Sequence, residues 1–213
     1  TINGLFTGGD GVGCSAHKFS SGSHAEGRIA GKAAIKFLVD NPGDVTLDTS
    51  KFEEIKAEIL KPLKTYEEGK GYTVTDDITP NYIRPKMFLF RLNKIMDEYA
   101  GGTSMWYTTN KPMLDRALEE LRMLYEDSKF LGADGLHELM RAWENYHRLW
   151  TSEAHVRHLM FREETRYPGY YYRADFKEVL DQENWHVFTI SKWDPATREW
   201  SIRKEPVQNW LGL

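Results

Sequence analysis

The stretch that decides the reading is Gly4-Leu-Phe-Thr-Gly-Gly-Asp10-Gly-Val-Gly-Cys14-Ser-Ala-His17-Lys18-Phe19-Ser-Ser-Gly22-Ser23-His-Ala-Glu26-Gly-Arg-Ile-Ala-Gly31. A short apolar run leads into a glycine-rich loop that carries one acid, and a helix follows. Glycine gives the backbone freedom and close approach that a ligand-contacting loop needs. Ser23 and Glu26 have the spacing of a capping box, which predicts a helix from about Ser23 to Val39. Amides at a helix start point outward with the positive end of the helix dipole, so they suit an anion or an electron-rich ring edge. The same pattern also describes a strand, a loop and a capped helix with no ligand, and local physics leaves both readings open.

Working outward, Asp40-Asn-Pro-Gly43 breaks that helix. Ser50 and Glu53 form a second capping box, which opens a helix to about Leu60. Residues 64–82 are polar and read as a surface loop. Helical periodicity marks Pro85 to Tyr99, with Phe88, Leu89, Leu92, Ile95 and Met96 on one face. Asn110 with Pro112 starts the next helix, which carries Leu114, Leu118, Leu121 and Leu124. A long helix after Asp134 offers Leu136, Met140, Trp143, Trp150 and Ala154 as its apolar stripe. Beyond Pro168-Gly169 the aromatic and β-branched content predicts short strands, with a turn at Asp194-Pro-Ala-Thr197.

Composition narrows the function. The 213 residues suffice for one or two domains with a core. A net charge of -4 implies no nucleic-acid face. No apolar run approaches a membrane span. One cysteine, Cys14, cannot form an internal disulfide or ligate a metal cluster alone, which suits a cytoplasmic protein. His137, His147, His155 and His158 lack the spacing of a metal-binding helix, because Arg141 stands where His-Glu-x-x-His would place its second histidine. They are expected, with Glu144, Glu153 and Arg157, to form a polar network between helices. No metal is expected.

The opening stretch resembles the second flavin-contacting segment of the fumarate reductase/succinate dehydrogenase flavoprotein superfamily. The pattern there is roughly G-L-[FY]-A-x-G-E, then G-A-N-R-L-G-G-N-S, then a helix. Gly9-Asp10 stands at the Gly-Glu, and Ala16-His17-Lys18-Phe19-Ser20-Ser21-Gly22-Ser23 at the second motif. Lys18 replaces the arginine that serves as proton donor in fumarate reduction, and His17 replaces its asparagine neighbour, so dicarboxylate chemistry is disfavoured. Within the superfamily, the stretch is most similar to the flavoprotein subunits of dissimilatory adenylylsulfate reductases. The similarity continues through His137-Glu-Leu-Met-Arg-Ala-Trp-Glu-Asn145, Glu163-Glu-Thr-Arg166-Tyr-Pro-Gly-Tyr-Tyr-Tyr-Arg173-Ala-Asp-Phe176 and Glu183-Asn-Trp185.

The resemblance implies a fold of class α+β, mostly helical. Residues 1–42 would be the tail of an FAD-binding, Rossmann-like domain, 43–165 a helical domain, and 166–213 a small extended segment. It implies FAD as cofactor, with Gly9, Asp10, Ser20, Ser21, Gly22, Ser23 and His24 at the flavin. His17, Lys18, Phe19 and Arg166 would line the substrate cavity. It implies interconversion of adenosine 5′-phosphosulfate with AMP and sulfite, with an iron–sulfur, ferredoxin-like beta subunit as electron partner. No G-x-G-x-x-G is present, so the chain is expected to be the C-terminal part of a longer flavoprotein and to hold FAD weakly alone. Two other readings stay open: a different oxidoreductase of the superfamily, and a non-catalytic helical interaction module.

Overall fold

The computed structural model describes residues 3–12, 19–43, 46, 48–72 and 81–208. The chain divides into two compact units, Thr1–Ser50 and Lys51–Leu213. The C-terminal segment from 166 onward lies in the same compact unit as the central helices.

In the first unit a 3-10 turn at Gly9–Gly11 precedes helix α1, Phe19–Asp40. The helix starts a turn earlier than the Ser23 signal implied. The lead-in at residues 3–8 is not a strand, because among the described residues no second strand lies beside it to share its hydrogen bonds. It is held instead by Phe6, whose ring meets Phe37 edge-on at 5.9 Å.

In the second unit, α2 spans Phe52–Gly69, well beyond Leu60, and runs through Pro62. Lys51, not Ser50, is its N-cap residue, and no side chain caps it. The Ser50 amide instead bonds back to the Asp48 carboxylate at 2.9 Å. The expected loop at 64–82 is thus helical to Gly69, with a 3-10 turn at 70–72, and residues 73–80 lie outside the described residues.

Helix α3, Pro85–Tyr99, begins where expected. Arg84 is extended, the conformation favoured before proline, and Pro85 occupies the first turn. Strand β1, Thr108–Thr109, precedes α4, Lys111–Asp127. Asn110 caps α4, its side-chain oxygen accepting from the Met113 amide at 3.0 Å. Helix α5, Leu136–Phe161, is the spine of the unit. Strand β2, Tyr172–Arg173, pairs parallel with β1. A short helix α6, Gln182–Trp185, leads into strands β3, Val187–Asp194, and β4, Glu199–Pro206. These form one antiparallel hairpin, with Trp193 opposite Trp200.

The core lies between α3, α4 and α5 and contains Phe88, Leu92, Leu114, Leu121, Leu124, Leu149 and Val156. The stripes expected for α3 and α4 are the buried ones. The stripe expected for α5 is not. Leu139, Ala142, Asn145, Leu149 and Val156 are buried, while Leu136 is 75% and Met140 48% exposed. The inner face thus carries Ala142 and Asn145 beside Leu139, Leu149 and Val156. The large side chains make outer contacts: the Trp143 indole donates to the Ile59 carbonyl at 2.9 Å, and Trp150 meets Trp193 at 5.0 Å. Asn145 is tolerated inside because its amide donates to the Pro85 carbonyl at 2.7 Å.

Candidate functional site

The glycine-rich loop is built tightly against α1. Gly9 is buried and has φ +72°, a conformation that favours glycine. Its amide donates to the Glu26 carboxylate at 2.7 Å. A Cβ on Gly8 would sit 3.1 Å from the Gly27 backbone nitrogen, so no larger residue fits without a shift. Glu26 therefore tethers loop to helix and is not the second half of a capping box. Ser23 lies inside the helix, its hydroxyl facing Gly9. This corrects the expected cap: the helix gains a turn at its start, so the amides at the outward-pointing end belong to Phe19–Gly22.

Asp10 is exposed on the same loop, and Phe19 is 76% exposed with φ +46°. An open groove of about 520 Å³ runs beside Ser20, Ser23, His24, Gly27 and Arg28. Gly9, Asp10, Ser20, Ser21, Gly22, Ser23, His24 and Phe19 thus all belong to one loop-and-helix-start feature of the first unit. His17, Lys18 and Cys14 lie outside the described residues. The residues present fit a flavin. An exposed carboxylate can accept from a polyol, and small residues leave the first-turn amides open to a ring edge that becomes negative on reduction.

In the second unit, Arg166 belongs to a buried polar cluster at the end of α5. Glu164 has no exposed side-chain surface. One of its oxygens accepts from Arg162 at 2.7 Å and Arg166 at 2.5 Å, and the other from the Asp181 amide at 2.6 Å. Arg162 also donates to the carbonyls of Trp185 and Val187, and Arg166 to that of Asp181 at 2.9 Å. Nε and one N–H of Nη2 of Arg166 are committed in this way, so any contact with a substrate has to come from Nη1 or the second N–H of Nη2. Arg173 donates to the carbonyls of Leu159 and Arg162 and forms a bidentate pair with Asp175. Burial pushes the neighbouring Tyr171 phenol up to about 12, so it is neutral at physiological pH and is no base.

The histidines do not form the expected network between helices. Glu144 pairs with Arg141 and Arg148, and Glu153 with Arg157, all along α5 itself. Among the described residues, only His158 of the four reaches across to another element, its Nδ1 lying 2.8 Å from the Thr189 hydroxyl on β3. Among the described residues no group of histidine, cysteine and carboxylate side chains could hold a metal, and no helix is long and apolar enough to cross a membrane.

Desolvation, helped by the charges of His155 and Arg162, lowers the His158 pKa below its ordinary 6.5. The unfolded chain therefore binds this proton more readily, and stability should fall as pH drops below about 6.5. In urea titrations from pH 7.5 to 5, His158→Gln should flatten that fall. An unchanged slope would exclude His158 as its source.

Sequence reasoning missed Glu164 as a hub. The visible signal was the charge pattern Arg162-Glu-Glu164-Thr-Arg166 after an apolar helix end, which cannot be satisfied by i,i+4 pairing once the helix stops.

The helices of the second unit and the strands after them define the class. Residues 91–210, more than half of the chain, match the family described as fumarate reductase flavoprotein C-term, and the chain belongs to that family. Among individual proteins it is similar to adenylylsulfate reductase subunit alpha of Megalodesulfovibrio gigas, with 50% identity over 97% of this chain and 31% of that protein. The solved adenylylsulfate reductase of Archaeoglobus fulgidus superposes with a TM-score of 0.87 and 49% identity, over 92% of this chain and 30% of that one. Sdh1 of Mycobacterium smegmatis, solved in complex with UQ1, shares the fold alone. Its TM-score is 0.65 at 17% identity, over 89% of this chain and 29% of that one. The chain spans about a third of the length of these relatives. The resemblance drawn from the motifs is borne out, as is the mostly helical fold.

Proposed function

We propose that this chain is the C-terminal part of the flavoprotein subunit of an adenylylsulfate reductase, interconverting adenosine 5′-phosphosulfate with AMP and sulfite. The observation that carries the reading is half-identity to such a subunit along 97% of the chain. When bound, FAD supplies the two-electron redox chemistry that cleaves or forms the bond between sulfur and the phosphate oxygen. Residues 1–42 would belong to the FAD-binding domain. Asp10 would accept a hydroxyl of the flavin side chain. Glu26 would hold that carboxylate in place through Gly9. The first-turn amides of α1, at Ser20, Ser21 and Gly22, would stabilise negative charge on the flavin pyrimidine edge, with Ser23 and His24 flanking it. His17, Lys18 and Phe19 would line the cavity above the ring, the two basic residues facing an anionic sulfo group. Arg166 would contact the substrate through the N–H donors that Glu164 and the Asp181 carbonyl leave uncommitted. An iron–sulfur beta subunit in the cytoplasm would relay the electrons; the single cysteine of this chain cannot by itself ligate a cluster.

In the full-length parent, Lys18→Ala or His17→Ala should lower kcat/KM for adenosine 5′-phosphosulfate by about 10²-fold, with flavin content unchanged. Turnover per bound flavin is the deciding measurement. Wild-type turnover per flavin in both variants would remove these residues from the site.

A further inference from the structure

A second concavity lies in the helical unit, far along the sequence from the flavin-type loop. It is a groove of about 460 Å³ between α4, α5 and the turn of the β3–β4 hairpin. Leu118, Leu121 and Leu149 line it with aliphatic surface, and Tyr125, Trp150 and Trp193 line it with rings. The rings are fixed against one another: Tyr125 meets Trp150 edge-on at 6.2 Å, and Trp150 meets Trp193 edge-on at 5.0 Å. This volume and wall chemistry are those of a small-ligand pocket.

The charge around the groove is not balanced. Glu153 is matched by Arg157 at 2.8 Å, and Glu119 by Arg116 at 2.8 Å. Arg122 and Arg198 also line the groove, and among the described residues neither guanidinium has a hydrogen-bond or ion-pair partner. Arg198 is unusual in a second way. It sits at φ +57° in the hairpin turn, its amide donating to the Asp194 carbonyl at 2.8 Å. That left-handed conformation disfavours a side chain and would suit glycine. The turn geometry alone therefore does not account for an arginine there.

We propose that this groove binds a small planar aromatic anion, its ring lying against the wall formed by Tyr125, Trp150 and Trp193 and its negative group between Arg122 and Arg198. The ring would gain edge and face contacts with the aromatic walls and bury against the leucines. Two guanidinium groups with free donors suit a carboxylate, sulfonate or phosphate oxygen. The assignment is independent of the flavin-type loop.

The test is calorimetric titration of the 213-residue chain with naphthalene-1-sulfonate, with 1-naphthylmethanol as the neutral counterpart. One saturable site is expected, with the neutral compound at least about 10-fold weaker. Arg122→Ala and Arg198→Gly should each weaken sulfonate binding about 10-fold or more. Arg198→Gly relieves the left-handed strain, so its melting temperature should stay level or rise while binding is lost, which separates a binding role from a structural one. Equal affinity for the neutral compound, or sulfonate binding indifferent to both arginines, would reduce the groove to an apolar packing gap and overturn the proposal. So would binding only of an acidic, aromatic peptide, because that would make the groove a protein-docking surface.

Discussion

Glu164→Ala should destabilise the chain by about 3–5 kcal/mol, because it leaves two largely buried guanidinium groups without their counter-charge. Arg162 and Arg166 are only 14% and 15% exposed, so water cannot replace the lost carboxylate. The Asp181 amide loses its acceptor as well. An exposed ion pair of the same type would contribute far less, as at Lys36 and Asp40, where both side chains stand in solvent. Chemical denaturation of the wild type, Glu164→Ala and Lys36→Ala gives the comparison. A loss below about 1 kcal/mol for Glu164→Ala would mean that the arginines find other partners and that the cluster is not a unit. The same cluster bears on the proposed chemistry. Arg166 can present its remaining N–H donors to a substrate only while Glu164 and the Asp181 carbonyl hold its guanidinium in place.

The legible parts of this molecule are those where one local signal dictates the outcome. Asn110 ahead of Lys111-Pro112 marks the start of α4 because a side-chain cap and a proline in the first turn act within four residues. Asp194-Pro-Ala-Thr197 marks the hairpin turn for the same reason. The α5 stripe is not legible in this way, because side-chain size does not stand for burial. The small Ala142 and the polar Asn145 take inner positions, while Trp143 and Trp150 serve neighbouring elements. The start of α1 is ambiguous because a Ser-x-x-Glu spacing has two uses. Here Glu26 is spent on the Gly9 amide, a partner 17 residues away that no local rule reveals. At the candidate site, the loop glycines and Asp10 are legible from their type and order. The commitment of Arg166 to Glu164 is not, since it depends on how the segment after α5 folds back on Asp181.

Arg173→Met should cost as much as the loss of Glu164, about 3–5 kcal/mol, but for a different reason. The Arg173 side chain is 2% exposed. Its Nη1 donates to the Leu159 carbonyl, in the last turn of α5 where the helix has no amides left to offer, and to the carbonyl of the C-cap residue Arg162. Its own amide donates to the Thr165 hydroxyl at 3.0 Å, and the adjacent Ala174 amide to the Thr109 carbonyl at 2.9 Å. One guanidinium therefore joins the helix end to the β1–β2 pair. The pair with Asp175 is the weaker part of the arrangement, because Asp175 is 24% exposed and also accepts from the Lys111 amide at 2.8 Å. Asp175→Asn removes the charge and turns one of the two oxygens facing Arg173 into a donor, so it should cost more than the loss of an exposed pair but less than Arg173→Met. Amide exchange gives the finer readout. Arg173→Met should release protection at the last turn of α5 and at Ala174 together, whereas Asp175→Asn should leave both protected. Equal losses in the two variants would place the energy in the ion pair and not in the buried carbonyl contacts.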